Sequence, residues 1–262
     1  MSDRIVHHVL FRKLYPVFDK TSIYDSYSCR IGKGTHRAVR RLHKFFKKES
    51  KNNTKNCFVL KCDIRKFFDN IDQDILLKFI KKRMKDQQAL WLTETIVKSF
   101  PAGLPLGNIT SQLFANIYLD ELDQFIKHTL QVAYYIRYCD DFVIVSTNKQ
   151  QLEMLIPNID NFLKNHLHVS LHPNKVFIRK YRQGIDFLGY ISFPHHAILR
   201  VKTKKRMFKR VKARLADLCS GLIKKESFRA TLQSYLGMLK HCNAFSVKQE
   251  LLELVASFGY RD

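Results

Sequence analysis

The 262-residue chain predicts an α+β fold, and three observations carry that expectation. Several stretches place apolar residues at alternating three and four spacing, five short β-rich runs lie between them, and only nine Gly and six Pro interrupt the chain. A composition of 45% apolar and 26% charged residues is that of a folded chain with a sizeable core, and excludes a disordered tail, a collagen-like fibre and a membrane bundle.

In chain order, residues 6–18 and 35–48 read as amphipathic helices around an irregular, turn-prone stretch at 22–34. Residues 47–56 are polar and read as a loop. The run 57–64 reads as a strand suited to a buried position, because Phe58, Val59 and Leu60 are consecutive, and 72–85 reads as a helix. Residues 103–112 begin as a loop and then offer Thr110 or Ser111 as an N-cap for a helix to about residue 128. The β-rich runs 134–137 and 142–146 flank Tyr138-Cys139-Asp140-Asp141, which predicts a hairpin with two carboxylates at its tip. A helix near 150–165 follows, then short strands at 176–179 and 187–193. From residue 204 the pattern is helical again, with Phe208, Val211, Leu215, Leu218 and Leu222 as one apolar stripe. Residues 200–225 hold eleven Lys and Arg against a single acid, Asp217.

Charge is the outlier. Forty-six Lys and Arg against 23 Asp and Glu leave a formal +23, which points to a polyanionic partner, nucleic acid first and anionic lipid second. No apolar run approaches the ~18 residues of a spanning helix, and residues 1–10 lack a signal-peptide core. The expected compartment is therefore the cytoplasm, with no membrane partner. Six cysteines show neither a C-x-x-C pair nor zinc spacing and read as reduced, buried thiols. The pairs His7-His8 and His195-His196 have no carboxylate at ligand spacing and are not read as zinc sites.

In so basic a chain the carboxylates are the informative minority. Asp63 ends an apolar strand and Asp140-Asp141 sits at a hairpin tip, so one sheet can gather all three. Mg²⁺ suits a few carboxylate oxygens and keeps positions open for phosphate. Two such ions ~3.5–4 Å apart serve an in-line phosphoryl transfer. On spacing alone a second reading stands beside this one, in which Asp63 is a turn residue and the Asp pair is solvated.

The segments Asp63-Ile-Arg-Lys-Phe-Phe68, Gly103-Leu-Pro-Leu-Gly-Asn-Ile-Thr-Ser-Gln112 and Tyr138-Cys-Asp-Asp141 resemble, in order and spacing, the A, B and C motifs of reverse transcriptases. Asn174-Lys175 looks like motif D and Phe187-Leu-Gly-Tyr190 like the primer-grip motif E. Asp3-Arg-Ile-Val-His-His8, the stretch Asp25 through His36, Gly107-Asn108, Ser234-Tyr-Leu-Gly237 and Leu239-Lys-His241 look most like the reverse transcriptases of diversity-generating retroelements, which are bacterial, archaeal or phage-encoded.

The resemblance implies a right-hand polymerase with partial fingers at 1–56, a palm at 57–199 with inserted fingers elements around 72–102, and a thumb at 200–262. Relatives carry further fingers residues ahead of the Asp3 segment. The resemblance also implies two Mg²⁺ ions, with Mn²⁺ as a substitute, held by Asp63 and Asp140 with Asp141 in support and Ile64 as a further metal-binding position. Phe68 matches an aromatic steric gate against the 2′-hydroxyl, its other reading being a core aromatic. Lys175 matches a proton donor to pyrophosphate, its other reading a solvated charge. Leu106 stands where retroviral relatives carry Gln, and with Gly107 and Gln112 falls on the substrate side. Arg30 and Lys33, around Gly32, suit template or triphosphate oxygens on a permissive turn, or form a plain loop. The implied partners are template RNA, primer, deoxynucleoside triphosphates and a small basic accessory protein. The implied activity is RNA-directed DNA synthesis that is error-prone at template adenines. Its rivals are a retron, group II intron-like or defence-type reverse transcriptase, and a catalytically idle RNA-binding protein of the same fold.

Overall fold

The computed structural model describes residues 2–258, with side chains from residue 4, so Asp3 of the upstream segment lies outside the described side chains. The chain divides into two compact units, Met1–Lys180 and Tyr181–Asp262. This division falls ahead of the expected palm–thumb boundary at 199/200, because a small sheet belongs with the C-terminal helices.

The first unit comprises α1 (Ser2–Asp19), α2 (Thr35–Glu49), β1 (Phe58–Cys62), α3 (Gln73–Arg83), α4 (Gln87–Lys98), α5 (Ile109–Gln124), β2 (Tyr135–Tyr138), β3 (Asp141–Ser146), α6 (Lys149–Leu167) and β4 (Phe177–Lys180). Its antiparallel sheet has the order β2-β3-β1-β4. Strand alternation sends Leu60, Cys62, Tyr135, Phe142 and Ile144 into a core built with α1, α3, α5 and α6. The other face of the sheet is packed by α2, which buries Ala38, Val39, Leu42, Phe45 and Phe46. With both faces covered, the strands read as continuous apolar runs, which is why they were visible in the sequence.

Caps explain several helix starts. Asp72 accepts from Asp74 N and Ile75 N and so starts the helix expected at 72–85 as α3, and Asp86 accepts from Gln88 N and Ala89 N and starts a second helix, α4, that the sequence reading did not name. The helix expected to start at Thr110 or Ser111 starts instead after Asn108, which makes no side-chain cap bond. Thr110 and Ser111 are buried in its first turn, and Thr110 Oγ1 lies 2.7 Å from His7 Nδ1 of α1. That contact uses one of the two histidine pairs structurally. In the other, His196 stacks on Phe193. The six thiols are all free.

The second unit has an antiparallel sheet of β5 (Ile185–Phe187), β6 (Tyr190–Ser192) and β7 (Ala197–Leu199), with α7 (Val201–Cys219), α8 (Lys225–Leu239) and α9 (Phe245–Ser257). The single strand expected at 187–193 is a hairpin. Phe187 pairs with Tyr190, and Leu188 and Gly189 turn between them with φ +53° and +87°, the sign pattern of a type I′ turn. Leu188 hides this turn, being an apolar residue in a left-handed place.

The apolar stripe of α7 also shifts phase. Thr203, Met207, Val211 and Leu215 are the buried positions, whereas Leu222 lies beyond the helix and is 75% exposed. Among the described residues no helix is long and apolar enough to cross a membrane. Leu215→Ala should therefore cost about 2–5 kcal/mol in urea unfolding. Leu222→Ala should stay within about 0.5 kcal/mol of wild type.

Candidate active site

Strand β1 ends at Cys62 and delivers Asp63 at the end of the sheet. Beyond it the chain stays extended, with His172 N donating to Asp63 O at 2.8 Å, Arg65 N to Ser170 O at 3.0 Å, and Ile64 bridging Leu171. The Ile64 side chain is a buried hydrocarbon with no atom to offer a cation, which leaves its backbone carbonyl as the one ligand it has. The turn that closes with Lys175 N on His172 O brings Lys175 back to Asp63, Nζ lying 3.1 Å from both carboxylate oxygens.

The hairpin forms as expected. Tyr138 pairs with Asp141, leaving Cys139 and Asp140 as the two turn residues. Cys139 has φ +58° while Asp140 does not share the positive sign, the pattern of a type II′ turn whose first place glycine usually fills. A β-carbon there costs on the order of 1 kcal/mol. The register Cys62↔Phe142 sets Asp63 and Asp141 one step past the last pair of the β1–β3 ladder, at the same end of the sheet.

Behind the turn, Arg137 of β2 is fully buried. Its Nη1 donates to Cys139 O at 3.1 Å and Asn116 Oδ1 at 3.2 Å, and its Nε and Nη2 make a bidentate pair with buried Asp123 at 2.7 and 2.6 Å.

Burial pushes the Asp140 carboxyl above the usual carboxylate range, and the charge of Asp63 adds to the rise. Asp141 is pushed up to about 6, first by burial and then by Asp63 and Asp140, against relief from Lys61 at 3.2 Å. Asp141 Oδ1 is buried without a hydrogen-bond partner. Three mutually repelling carboxylates with an orphaned oxygen match the donor chemistry of a hard divalent cation. Among the described residues, no three His, Cys, Asp or Glu side chains converge closely enough to hold an ion. Lys175 and Lys61 stand against Asp63 and Asp141 instead, so the donor types fit and their spacing is not that of a closed metal cage.

Phe68 opens a 3₁₀ turn, Phe68–Asn70, and is half-buried, its ring edge-on to Phe67. The loop before α5 docks on that turn through Leu104 N to Phe68 O at 2.8 Å. Gly103 makes the docking possible, because a β-carbon there would lie 2.3 Å from Phe68 O. This holds the Phe68 turn next to the loop that carries Leu106, 76% exposed, and Gly107. Gln112 is exposed in the first turn of α5, where its Oε1 accepts from Cys29 Sγ at 2.9 Å.

Arg30 corrects an expectation. Its guanidinium turns inward to Asp19 Oδ1 at 2.6 Å, Ile23 O at 2.6 Å and Ser26 O at 3.1 Å, so it pins the 19–30 stretch and does not face a ligand. Lys33 donates to Tyr24 O at 2.7 Å and lies over the Tyr24 ring.

Residues 1–192 match the family model described as reverse transcriptase (RNA-dependent DNA polymerase). The chain belongs to the reverse transcriptase family. It is 25% identical to Protein YkfC of Escherichia coli over 72% of this chain and 60% of that protein. It is 28% identical to the retron Ec73 reverse transcriptase of Escherichia coli over 71% of this chain and 63% of that enzyme. The group II intron-encoded protein LtrA of Lactococcus lactis is 25% identical over 49% of this chain and 33% of its own length. This reverse transcriptase chain thus spans less than two thirds of each of these relatives. Among solved structures, telomerase from Candida tropicalis in complex with a telomeric RNA fragment superposes with a TM-score of 0.60 at 15% identity, covering 96% of this chain and 47% of that one. The α+β fold is accordingly that of the right-hand polymerases.

The residues missed in the sequence of this reverse transcriptase are Arg137, Asp123, Asn116, Lys61 and Gly103. A signal did exist for the first, an arginine inside an apolar strand, whereas Asp123 stands in the mixed stretch Leu119-Asp-Glu-Leu-Asp-Gln-Phe-Ile126, where nothing in the pattern singles it out. A folded-state carboxyl titrating near 6 contributes stability that is fully present below about pH 4 and is lost as pH rises through about 6. In metal-free buffer, denaturant midpoints between pH 4 and 7 should therefore decline more steeply for wild type than for Asp141→Asn.

Proposed function

We propose that this chain carries the polymerase activity of an RNA-directed DNA polymerase that extends a primer with deoxynucleotides on an RNA template. The observation that carries the reading is that Asp63, Asp140 and Asp141 stand at the same end of one sheet, with Lys175 against Asp63. Asp63 and Asp140, with Asp141 in support and the Ile64 carbonyl beside them, would hold two Mg²⁺, or Mn²⁺ in substitution. When bound, the metal supplies Lewis acidity for in-line transfer at the α-phosphorus.

The protein's own groups do the rest. The primer 3′-hydroxyl loses its proton to solvent as its oxygen bonds to the α-phosphorus and the bond to pyrophosphate breaks, and Lys175 Nζ gives a proton to the departing pyrophosphate oxygen. Phe68 packs where the sugar C2′ sits and rejects a 2′-hydroxyl. Gly107 and Gln112 border the nucleotide on the α5 side. Leu106 presents an apolar, exposed side chain there, offering shape without hydrogen bonds and so loose discrimination among bases.

Within this activity, the motifs in residues 25–36 and 234–241 support a diversity-generating retroelement enzyme, error-prone at template adenines, cytoplasmic and assisted by a small basic accessory protein. The likeness to a retron enzyme and to LtrA favours a second reading, another bacterial reverse transcriptase of retron or group II intron type. Adenine-directed substitutions in the product distinguish the two.

Wild type should extend a DNA primer on RNA with Mg²⁺, and Asp140→Asn should lower the rate at least 10³-fold while RNA binding stays. RNA binding with no extension by wild type would leave only the idle RNA-binding protein. Phe68→Ala should admit ribonucleotides in the same assay, and Leu106→Gln should change the misincorporation spectrum; unaltered sugar selection or an unaltered spectrum removes the respective role.

A further inference from the structure

A two-residue hairpin leaves the carbonyl of its first turn residue out of the strand ladder. Here Arg137 Nη1 takes that carbonyl, donating to Cys139 O at 3.1 Å. It belongs to the peptide that joins Cys139 to Asp140. Rotating this peptide by about half a turn would convert the type II′ pattern into type I′, in which Asp140 takes a positive φ as well. The direction of the Asp140 side chain is therefore tied to the way one carbonyl points, and a buried guanidinium holds that carbonyl.

The arm that does so is fixed along its length. Its backbone lies beside the 25–27 stretch, with Arg137 N donating to Asp25 O at 3.0 Å and Tyr27 N to Arg137 O at 2.9 Å. Its head is clamped by Asp123 on one side and steadied by Ser26 Oγ at 3.2 Å. The second N–H of Nη1 goes to Asn116 Oδ1 at 3.2 Å, and Asn116 is itself fixed, its Nδ2 donating to Ser28 O at 2.8 Å. Four N–H groups thus set the plane of the guanidinium and the fifth meets the turn. An ammonium here could answer Asp123 but could not also span to Cys139 O, because only the planar fork sends donors in both directions.

We propose that Arg137 is a positioning residue of the polymerase reaction, selecting the turn geometry in which the Asp140 carboxylate serves the chemistry. The inference rests on the reading of Asp140 as a working carboxylate of the active site. It assigns to Arg137 an effect on rate that its part in holding the fold together would not produce. The two parts are separable. The Tyr135 hydroxyl donates to Asp123 Oδ1 at 2.6 Å and supports the same ion pair without touching the turn. Glycine at position 139, in turn, would favour the II′ geometry by its own preference, which supplies locally what Arg137 supplies by contact.

The test pairs primer extension on RNA with alkylation of Cys139 by iodoacetamide in EDTA, read by peptide mass spectrometry. Arg137→Met/Asp123→Leu exchanges the ion pair for apolar side chains, a replacement that buried pairs often tolerate, and a circular dichroism melt checks its fold. It should lower kcat about ten- to a hundredfold, hold KM for the deoxynucleotide within about twofold, and alkylate residue 139 about fivefold faster or more. Arg137→Lys, which keeps the charge against Asp123 and loses the fork, should do the same, so the outcome does not hang on one variant folding. Adding Cys139→Gly to either should bring kcat to within about threefold of Cys139→Gly alone. Tyr135→Phe should melt lower, yet keep kcat and the alkylation rate within about twofold of wild type. Unchanged kcat in a folded Arg137 variant, an equal loss in Tyr135→Phe, or no rescue by Cys139→Gly would overturn the proposal. If wild type itself extends no primer, the polymerase reading fails separately, and wild-type alkylation rates in the Arg137 variants would still overturn the hold on the turn.

Discussion

The first unit depends on one buried ion pair, Arg137 with Asp123. Neither side chain reaches solvent, and taking such charges out of water costs several kcal/mol for each ion unless every donor and acceptor is used. Here they are. The five N–H groups of Arg137 go to Asp123 twice, to Asn116, to Ser26 and to the carbonyl of Cys139, while Tyr135 donates to Asp123 at 2.6 Å. The fork joins helix α5, the loop at residues 26–28 and the Asp140 turn in one rigid unit. A lysine could keep the charge and would lose the fork. The left-handed Cys139, which no local preference favours, is held from behind by this contact.

The positive excess has an internal order. Lys61 and Lys175 face the aspartates, Arg137 and Arg30 are used up inside the fold, and the cations of α2 gather around an acid-free hollow. Each group has a different consequence. Those beside the aspartates offset the negative charge of Asp141 and Asp63. Those inside set backbone geometry, and only the remainder is available to a polyanion.

Much of this was legible in the sequence. Tyr138-Cys139-Asp140-Asp141 between β-rich runs predicted the hairpin because a two-residue turn leaves its neighbours paired. Asp63 was legible as the end of an apolar strand. The break at Leu188 was hidden because Leu hides the left-handed position that Gly189 alone suggests. The start of α5 was misplaced because Thr110 and Ser111, good caps by residue type, are claimed by burial and by His7. Arg30 read as a ligand group and is a loop pin, since exposure cannot be read from charge. Arg137 was missed although its place inside an apolar strand marked it, because its partner lies on a helix that only the tertiary fold brings to it.

The position of β1 has a consequence for synthesis on the ribosome. It is a central strand, yet its partners come late in the chain, Phe58 pairing with Ser146 on one side and with Lys180 on the other. At roughly 5–20 residues per second, an apolar five-residue segment is born some 5–25 s before its neighbours. During that interval its hydrogen-bonding edges are open to other chains, and closing the sheet waits on contacts far apart in the chain, which makes its folding governed by non-local closure.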